Sequence, residues 1–307
     1  MSQKPEFKNS KLETTVVGSY PVKIGTQEML RQYYFGRDSY YDAIKNAVKD
    51  QENAGIEIIS DGQVRGDVVS IAASCCHGIT RGSRPKIIDE LKPKDNVIAE
   101  DMNLASSLAS GNTKIKGIIT GPYTLSRNCI NNYYKNEEEV AWAFVSILKD
   151  ELRQMKNNAD MIQIDEPFLS VEYSHEAKEM IHELAKVVRV PLAIHVCGDV
   201  RSIFKHLLDY NVDILDLEFV SYPKNVSLLK EYKFNKKIGF GCISIEDRRV
   251  ESVRKIKRRI NKALKILPPE KIIVDPDCGM RNLTRRMAFS KLKNMVTARN
   301  EILDECS

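Results

Sequence analysis

Two side chains that commonly bind metals stand two residues apart in the segment LAIHVCGDV. His195 and Cys197 end an apolar run, and because residues i and i+2 of a strand point to the same side, both can face one ion. Glu218 and Cys278 follow later apolar runs. Two thiolates, one imidazole and one carboxylate suit a tetrahedral Zn²⁺ site with ligand distances of roughly 2.0–2.3 Å. The sequence therefore predicts a zinc site if these four side chains converge.

Other polar residues also stand at the ends of apolar runs. Gly18 and Ser19 follow the first run, Gln63 follows the second, and Asp165 ends the fourth. Glu166 is adjacent to Asp165, and since neighbouring strand residues point apart, the two carboxylates are not expected to act as a paired acid and base. We expect Asp165 to contact the substrate, while turn or capping roles stay open for Ser19, Gln63 and Glu166.

Eight short apolar runs, rich in β-branched residues, must position these side chains. Uniformly apolar strands are typical of parallel sheets buried on both faces, which need helical crossovers. Eight strand and helix units in about 300 residues predict a (β/α)8 TIM barrel, whose active site lies at the carboxyl ends of the strands. The predicted strands are Glu13–Val17, Ile56–Ser60, Ile115–Thr120, Met161–Ile164, Leu192–Val196, Ile214–Phe219, Ile238–Cys242 and Lys271–Val274.

Helical patterns fill the segments between these runs. The predicted helices are Ser39–Ala54, Glu137–Met155, His175–Val188 and Arg248–Leu267. The first stops at Gly55, a common helix terminator, and the second begins with three glutamates, which suits the helix dipole. Residues 62–109 are more chain than one crossover needs, so we predict an insertion or long loop over the barrel mouth. Because no repeat or flexible linker is apparent, we predict a single domain over residues 1–307.

The composition excludes several classes of protein. The 307 residues are 42% hydrophobic and 29% charged, with 47 basic and 42 acidic residues and a net charge of +5, which excludes a disordered chain. The N-terminal segment lacks the apolar core of a secretory signal, and no run reaches the ~18 apolar residues of a membrane span. With an odd count of seven cysteines, we predict a cytoplasmic protein without a membrane partner and with free or metal-bound thiols.

Nine lysines and arginines lie between residues 248 and 265. Apolar residues recur among them at helical spacing, which favours an outer barrel helix with a solvated basic face. An acidic partner that docks on this face stays open as an alternative. We expect no nucleic-acid partner, because exposed aromatic residues are not interleaved with the charges.

Seven motifs, in order along nearly the whole chain, resemble those of the cobalamin-independent methionine synthase family. The closest likeness is to its short archaeal-type form, which consists of the catalytic barrel alone. The motifs are TTVVGSYP at 14–21, SDGQVRGD at 60–67, TGPYTLS at 120–126, IQIDEP at 162–167, HVCGDV at 195–200, LDLEF at 215–219 and VDPDCGM at 274–280.

The resemblance implies a methyltransferase that uses Zn²⁺ to convert L-homocysteine to L-methionine. The implied zinc ligands are His195, Cys197, Glu218 and Cys278. The implied homocysteine contacts are the backbone of Val17, Gly18 and Ser19, the side chain of Asp165, which would pair with the amino group, and Gln63. As the single carboxylate among softer ligands, Glu218 is expected to be the weakest, so that the substrate sulfur loosens or displaces it.

Four positions depart from the folate-dependent members of that family. Asn128 stands near the place of a tryptophan, Gln63 replaces a glutamate, and Val171 replaces an acid, although Glu172 follows it. Glu246 stands where the family has a histidine proton donor and is retained as a candidate catalytic residue. These changes favour a methylated corrinoid, free or bound to a partner protein, as methyl donor, because a cobalt leaving group needs no proton.

Three alternatives remain open from the sequence. The first is a folate-dependent methionine synthase. The second is a zinc-dependent thiol transferase that acts on another thiol, such as coenzyme M; Asp165 suits the amino group of an amino acid better than a sulfonate. The third is a metal-storage or corrinoid-docking protein without turnover.

Overall fold

The computed structural model describes residues 12–306 except 23, 37, 81 and 83. Its strands in chain order are β1 (Glu13–Thr14), β2 (Ile58–Ile59), β3 (Cys76–Ile79), β4 (Lys86–Pro93), β5 (Lys114–Thr120), β6 (Ile130–Asn131), β7 (Met161–Asp165), β8 (Leu192–Val196), β9 (Ile214–Leu217), β10 (Lys237–Ile243) and β11 (Ile272–Pro276). Eight of these, all but β3, β4 and β6, form one parallel sheet. The predicted (β/α)8 barrel is therefore confirmed.

The eight strands close on themselves. The order is β1-β11-β10-β9-β8-β7-β5-β2, and a parallel bridge between Thr15 and Ile58 joins the first strand to the last. The regular part of β1 is shorter than the predicted run to Val17. The carbonyls of Val16 and Val17 instead accept hydrogen bonds from the side chains of Lys116 and Gln163. This departure from the ladder brings polar side chains to the barrel interior beneath the first loop.

Helices surround the barrel. They are α1 (Thr26–Phe35), α2 (Tyr41–Ala54), α3 (Val68–Ser74), α4 (Val97–Leu108), α5 (Pro122–Asn128), α6 (Glu137–Met155), α7 (His175–Ala185), α8 (Phe204–Leu207), α9 (Leu228–Glu231), α10 (Val253–Leu264) and α11 (Arg285–Cys306). The prediction for α6 is correct at both ends, and its first turn is capped by Asn136, whose side chain accepts from Glu139 N. Helix α2 ends at Gly55, whose φ of 87° closes the helix as predicted.

Three predicted helices are too long. Helix α2 begins at Tyr41, two residues after its predicted start. The structure ends α7 at Ala185, three residues before the predicted end. It begins α10 at Val253 rather than at residue 248, because Ser252 caps the helix by accepting from Lys255 N. The preceding Glu251 is buried, and its carboxylate pairs with Lys291 at 2.5 Å. The helical spacing of apolar residues continues past Glu251, so the sequence does not reveal that this residue precedes the helix and forms a buried ion pair.

Residues 62–109, for which an insertion or long loop was predicted, contain regular structure. They hold α3, β3, β4 and α4. Strands β3 and β4 pair antiparallel, and β4 pairs with β6 to complete a small second sheet. No helix within the described residues is long and apolar enough to cross a membrane.

Candidate metal centre

Three of the four predicted ligands meet at the carboxyl end of the barrel. His195 lies on β8, Cys197 follows the end of that strand, and Cys278 follows β11. His195 Nε2 lies 3.1 Å from Cys197 Sγ, and Cys197 Sγ lies 3.4 Å from Cys278 Sγ. All three donor atoms lie within 4.8 Å of one another. Two ligand atoms on a tetrahedral ion, each at ~2.3 Å, are about 3.8 Å apart, so the cluster has the size and the donor chemistry that Zn²⁺ requires.

A buried carboxylate stands behind the imidazole. His195 Nδ1 lies 3.2 Å from Asp216 Oδ1 on β9, at ion-pair distance although the angle is outside hydrogen-bond geometry. A carboxylate at Nδ1 favours the tautomer that carries its proton there, which leaves Nε2 free to bind a metal. The barrel therefore supplies an orienting group for His195 that the sequence analysis missed.

The charges in the cluster are mutually dependent. Burial lowers the pKa of His195, but the opposing effects of Cys197 and Asp216 are larger together and hold it well above its usual value. A hydrogen bond with Cys197 holds the pKa of Cys278 well below the usual thiol value. The same hydrogen bond, with burial, raises the pKa of Cys197. Because a metal binds the deprotonated forms of thiols and imidazole, a bound ion would displace the protons that these three groups share here.

Glu218, the fourth predicted ligand, lies beside this group and not within it. Its Oε1 accepts a hydrogen bond of 3.1 Å from the backbone N–H of Gly198. Gly198 has a φ of 93°, in the left-handed region that glycine adopts at little cost. Burial raises the pKa of Glu218 to about 7. The carboxylate is therefore adjacent to the three candidate metal ligands but is directed to the backbone.

Asp165 ends β7 and is buried among polar groups. Its Oδ1 accepts a hydrogen bond of 2.7 Å from Gln163 Nε2, and that nitrogen also donates to Val17 O at 2.8 Å. Lys116 Nζ, fully buried, donates to Gln163 Oε1 at 2.6 Å and to Val16 O. Burial raises the pKa of Asp165 to about 6. The predicted amino-group contact is thus ionised at neutral pH and joined to the first-strand backbone.

The first and second loops are packed together at this end of the barrel. A Cβ at Gly18 would lie 2.6 Å from Gln63 Oε1, so the Gln63 side chain rests against the Gly18 backbone. Gln63 has an unusual φ of 45°; its N–H donates to Asp61 Oδ2 and its carbonyl accepts from Arg281. Ser19 O accepts from Met280 N at 2.7 Å. Gly18, Ser19 and Gln63 therefore lie close together at this end of the barrel.

Glu166 has a capping role. Its two carboxylate oxygens accept from the backbone N–H groups of Tyr123 and Thr124, at 3.1 and 2.8 Å, at the start of α5. Burial raises its pKa to about 7. A Cβ at Gly121 would overlap the Glu166 carboxyl group, so glycine is required there for the cap to form.

The residues at positions that depart from the folate-dependent pattern are exposed or bound to neighbouring residues. Asn128 donates to Thr124 O within its own helix at 2.8 Å. Val171 is 76% exposed, and Glu172 pairs with Arg127 at 2.5 Å. Glu246 is exposed, and its N–H donates to Ser244 Oγ at 3.3 Å.

The sequence analysis missed five polar residues that support the predicted ones. Asn225, for example, donates a hydrogen bond to Glu218 O, and the others are Lys116, Gln163, Asp216 and Arg281. Gln163 could have been found, because it stands two residues before Asp165 and so faces the same side of the strand. The others are revealed only by contacts between separate strands and loops.

Comparison with known proteins gives a consistent result. Residues 12–301 match the family described as cobalamin-independent synthase, catalytic domain. A methionine synthase from Methanothermobacter thermautotrophicus is 40% identical over 303 residues, which cover 93% of this chain and 98% of that protein. A methionine synthase from Methanocaldococcus jannaschii is also 40% identical, over 93% of this chain and 97% of its own length. The solved structure of a B12-independent methionine synthase from a Shewanella species, in complex with selenomethionine, has a TM-score of 0.84 at 22% identity and covers 97% of this chain and 99% of its own.

Proposed function

The chain belongs to the cobalamin-independent methionine synthase family of methyltransferases, and from this premise we propose that it methylates the thiol of L-homocysteine to form L-methionine. The observation that carries the proposal is the cluster of His195, Cys197 and Cys278 at the barrel mouth. A free thiol has a pKa of ~8.5 and reacts as its thiolate. A metal that binds the substrate sulfur keeps it ionised at neutral pH, which is the chemistry this cluster would supply.

We propose Zn²⁺ as the metal, with His195, Cys197, Cys278 and Glu218 as the residues that hold it. Soft thiolates and an imidazole favour Zn²⁺ over the hard cations, which prefer oxygen ligands. Asp216 supports this role, because it orients His195 from the side away from the thiols. Glu218 is the weakest of the four, since its carboxylate has a competing partner in the Gly198 N–H.

The homocysteine contacts in the proposal lie on the first, second and fourth barrel strands or the loops that follow them. Asp165 pairs with the amino group, and its ionised carboxylate is oriented by Gln163. The backbone of Val17, Gly18 and Ser19 and the side chain of Gln63 complete the site. Because Gln163 joins Asp165 to Val17 O, the charged contact and the backbone contacts are held at a fixed spacing.

We propose a methylated corrinoid, free or carried by a partner protein, as the methyl donor. The donor carbon forms a bond to sulfur while the cobalt leaves with the bonding electron pair, and no proton is needed. The surroundings of three residues support this donor. Asn128 and Glu172 are bound to Thr124 and Arg127, and Glu246 is exposed to solvent; none of them has the surroundings of a buried folate-binding or proton-donating group.

A sulfonate thiol such as coenzyme M fits the site less well. It would place a negative charge where Asp165 supplies another, in surroundings that are already buried. Like charges at close range in a buried site repel strongly. This repulsion favours the amino acid thiol. We also propose a cytoplasmic location.

One assay tests these points together. Zinc-loaded protein is incubated with homocysteine and, separately, methylcobalamin, methyltetrahydrofolate or a methylated corrinoid protein, and methionine is quantified. We expect methionine from the corrinoid donors. Methionine formed only with methyltetrahydrofolate would overturn the proposed corrinoid donor. Faster turnover of coenzyme M than of homocysteine would overturn homocysteine as the proposed substrate. A protein that is fully loaded with zinc and inactive with every donor would favour metal storage or corrinoid docking.

A further inference from the structure

A fully buried amide joins two of the loops that carry the candidate ligands. Asn225 lies in the short 3-10 helix Pro223–Ser227. Its Nδ2 donates to Gly198 O at 3.0 Å and to Glu218 O at 2.9 Å, and its Oδ1 accepts from Val200 N at 3.3 Å. Both amide hydrogens are therefore used, one on the loop after β8 and one on the loop after β9.

A carboxylate joins the loop after β11 to the loop after β9 in a similar way. Asp277 immediately precedes Cys278, and its Oδ1 accepts from the N–H groups of Phe219 and Val220, each at 3.0 Å. Its Oδ2 accepts from Ser221 N at 2.6 Å. A Cβ at Gly241 would overlap the Asp277 carboxylate, so β10 leaves the space that this carboxylate occupies.

These two side chains tie the three loops into one frame. Cys197 is followed directly by Gly198, whose carbonyl Asn225 holds; the Glu218 carbonyl is held by the same amide. Asp277 holds the backbone of the three residues that follow Glu218, and it directly precedes Cys278 in the sequence. The hydrogen bonds of both residues in this frame go to main-chain atoms. Asn225 therefore acts on the ligands through the backbone, whereas the Asp277 carboxylate acts through the backbone and also, by its charge, helps to raise the pKa of Glu218.

We infer that Asn225 and Asp277 are positioning residues that set the spacing of Cys197, Glu218 and Cys278 and thereby the affinity and geometry of the bound metal. The inference rests on the metal-binding part of the proposed function. A shift of about 0.5 Å is enough to spoil a metal site, and groups that orient ligands typically contribute 10–100-fold in metal affinity. One amide shared by two loops couples their positions, because neither loop can move without losing a hydrogen bond to Asn225.

Variants of these two residues separate the effect of loop geometry on metal binding from the effect of charge. Asn225→Ala removes three hydrogen bonds without changing the charge of the site. Asn225→Asp keeps the size of the side chain but turns a carboxylate oxygen toward the carbonyls of Gly198 and Glu218, which repel it. Asp277→Asn removes a negative charge and places an NH2 group or a weaker acceptor against the three backbone donors.

The fold supplies a matched control in Gln51. This amide is also fully buried, and it makes three hydrogen bonds to main-chain atoms: Nε2 to Ala47 O at 3.0 Å and to Ser60 O at 2.9 Å, and Oε1 from Ser60 N at 3.0 Å. Those bonds join α2 to the end of β2, whose loop bears none of the candidate metal ligands. Gln51→Ala therefore reports the cost of losing a comparable amide elsewhere in the barrel.

The test measures metal binding without turnover. Zinc affinity is determined by competition with a chromophoric chelator, and the geometry of the site by the absorption spectrum of the Co²⁺-substituted protein, for wild type, Asn225→Ala, Asp277→Asn and Gln51→Ala. We expect zinc to bind about 10–100-fold more weakly in the first two variants, with altered Co²⁺ bands, while Gln51→Ala keeps the affinity and spectrum of wild type even if its melting temperature falls.

Unchanged zinc affinity and Co²⁺ bands in Asn225→Ala and Asp277→Asn would overturn the inference, as would an equal loss in Gln51→Ala. If Asn225→Ala does not fold, Asn225→Ser, which keeps a short polar group, and Asp277→Asn decide the question. Because methionine formation is not measured, the result is independent of the donor. A wild-type protein that binds zinc but forms no methionine would contradict the proposed function and leave this test intact.

Discussion

Gln163 Nε2 donates a hydrogen bond of 2.7 Å to Asp165 Oδ1, two residues further along the same barrel strand. The same nitrogen donates to Val17 O, and the buried ammonium of Lys116 donates to Gln163 Oε1. A line of hydrogen bonds thus runs from Lys116 through the amide to the carboxylate. These hydrogen bonds orient the Asp165 carboxylate and join β7 to the chain that follows β1.

Replacement of Asp165 by asparagine should weaken homocysteine binding. The change removes a charge-assisted contact with the amino group, worth ~1.5–3 kcal/mol, so KM for homocysteine should rise about 10–100-fold. Steady-state rates with methylcobalamin measure this effect. Asp150→Asn, at an exposed carboxylate on α6 that pairs with Arg153, is the control and should leave KM unchanged. An unaltered KM in Asp165→Asn would remove Asp165 from the homocysteine site.

The pH dependence of homocysteine binding should follow the same carboxylate. Burial raises the pKa of Asp165 to about 6, so the group is ionised above that value and becomes neutral as the pH falls through it. The ratio of wild-type to Asp165→Asn kcat/KM should therefore be constant above pH 7 and decrease below pH 6. Taking the ratio cancels the ionisation of the substrate thiol, and zinc content is checked at each pH. A ratio that stays level down to pH 5 would contradict the assignment.

Gly121→Ala should destabilise the fold. The new methyl group would overlap the Glu166 carboxyl group, which caps α5. Overpacking of this kind typically costs ~1–3 kcal/mol, and loss of the cap adds to it. Urea unfolding of the two proteins measures the difference. Gly111→Ala is the matched control, because a Cβ there meets no atom within 4 Å; equal stabilities for the two variants would refute the account.

The sequence was sufficient for the barrel because its strands are buried on both faces and so read as continuous apolar runs. The same property conceals what points into the barrel. Lys116 lies within the run IKGIIT, and Gln163 within MIQI. Only the fold shows that Lys116 reaches the carbonyl of Val16, and Gln163 that of Val17, just after β1. Helix α1, which the sequence analysis did not predict, follows the first site loop.

The proximity of three candidate metal ligands could be predicted from spacing and from position at strand ends, but the residues that support them could not. His195, Cys197 and Cys278 are recognisable by residue type. Asn225 lies in a short turn with no periodic pattern, and its role depends on two carbonyls 27 and 7 residues away in the chain. Glu218 was correctly placed at the end of a strand, but its hydrogen bond to Gly198 depends on backbone conformation.

Removal of the metal or of one thiolate should abolish activity without unfolding the barrel. Cys278→Ser replaces a soft thiolate by a weakly binding hydroxyl, so bound zinc should fall well below about one ion per chain, and methionine formation should become undetectable. Atomic absorption and the methionine assay measure the two effects. Cys129→Ala, at a buried cysteine outside the three candidate metal ligands, should bind as much zinc as wild type. Full activity in Cys278→Ser, or after chelation, would contradict a metal-dependent reaction.

Glu246→Gln should distinguish the two classes of methyl donor. Glu246 is exposed, and the resemblance of the sequence motifs implies a proton donor at this loop position in folate-dependent members of the family. A departing corrinoid keeps the electron pair of the carbon–cobalt bond and takes up no proton, so the rate with methylcobalamin should stay within about two-fold of wild type, a change of less than about 0.5 kcal/mol in the barrier. A departing folate nitrogen needs a proton, so any activity with methyltetrahydrofolate should fall further in the variant.

The same rates measured with Glu138→Gln, at a glutamate in the first turn of α6, control for the loss of a surface charge. A ten-fold loss with methylcobalamin, with zinc content unchanged, would instead show that Glu246 takes part in the transfer of the methyl group from the corrinoid.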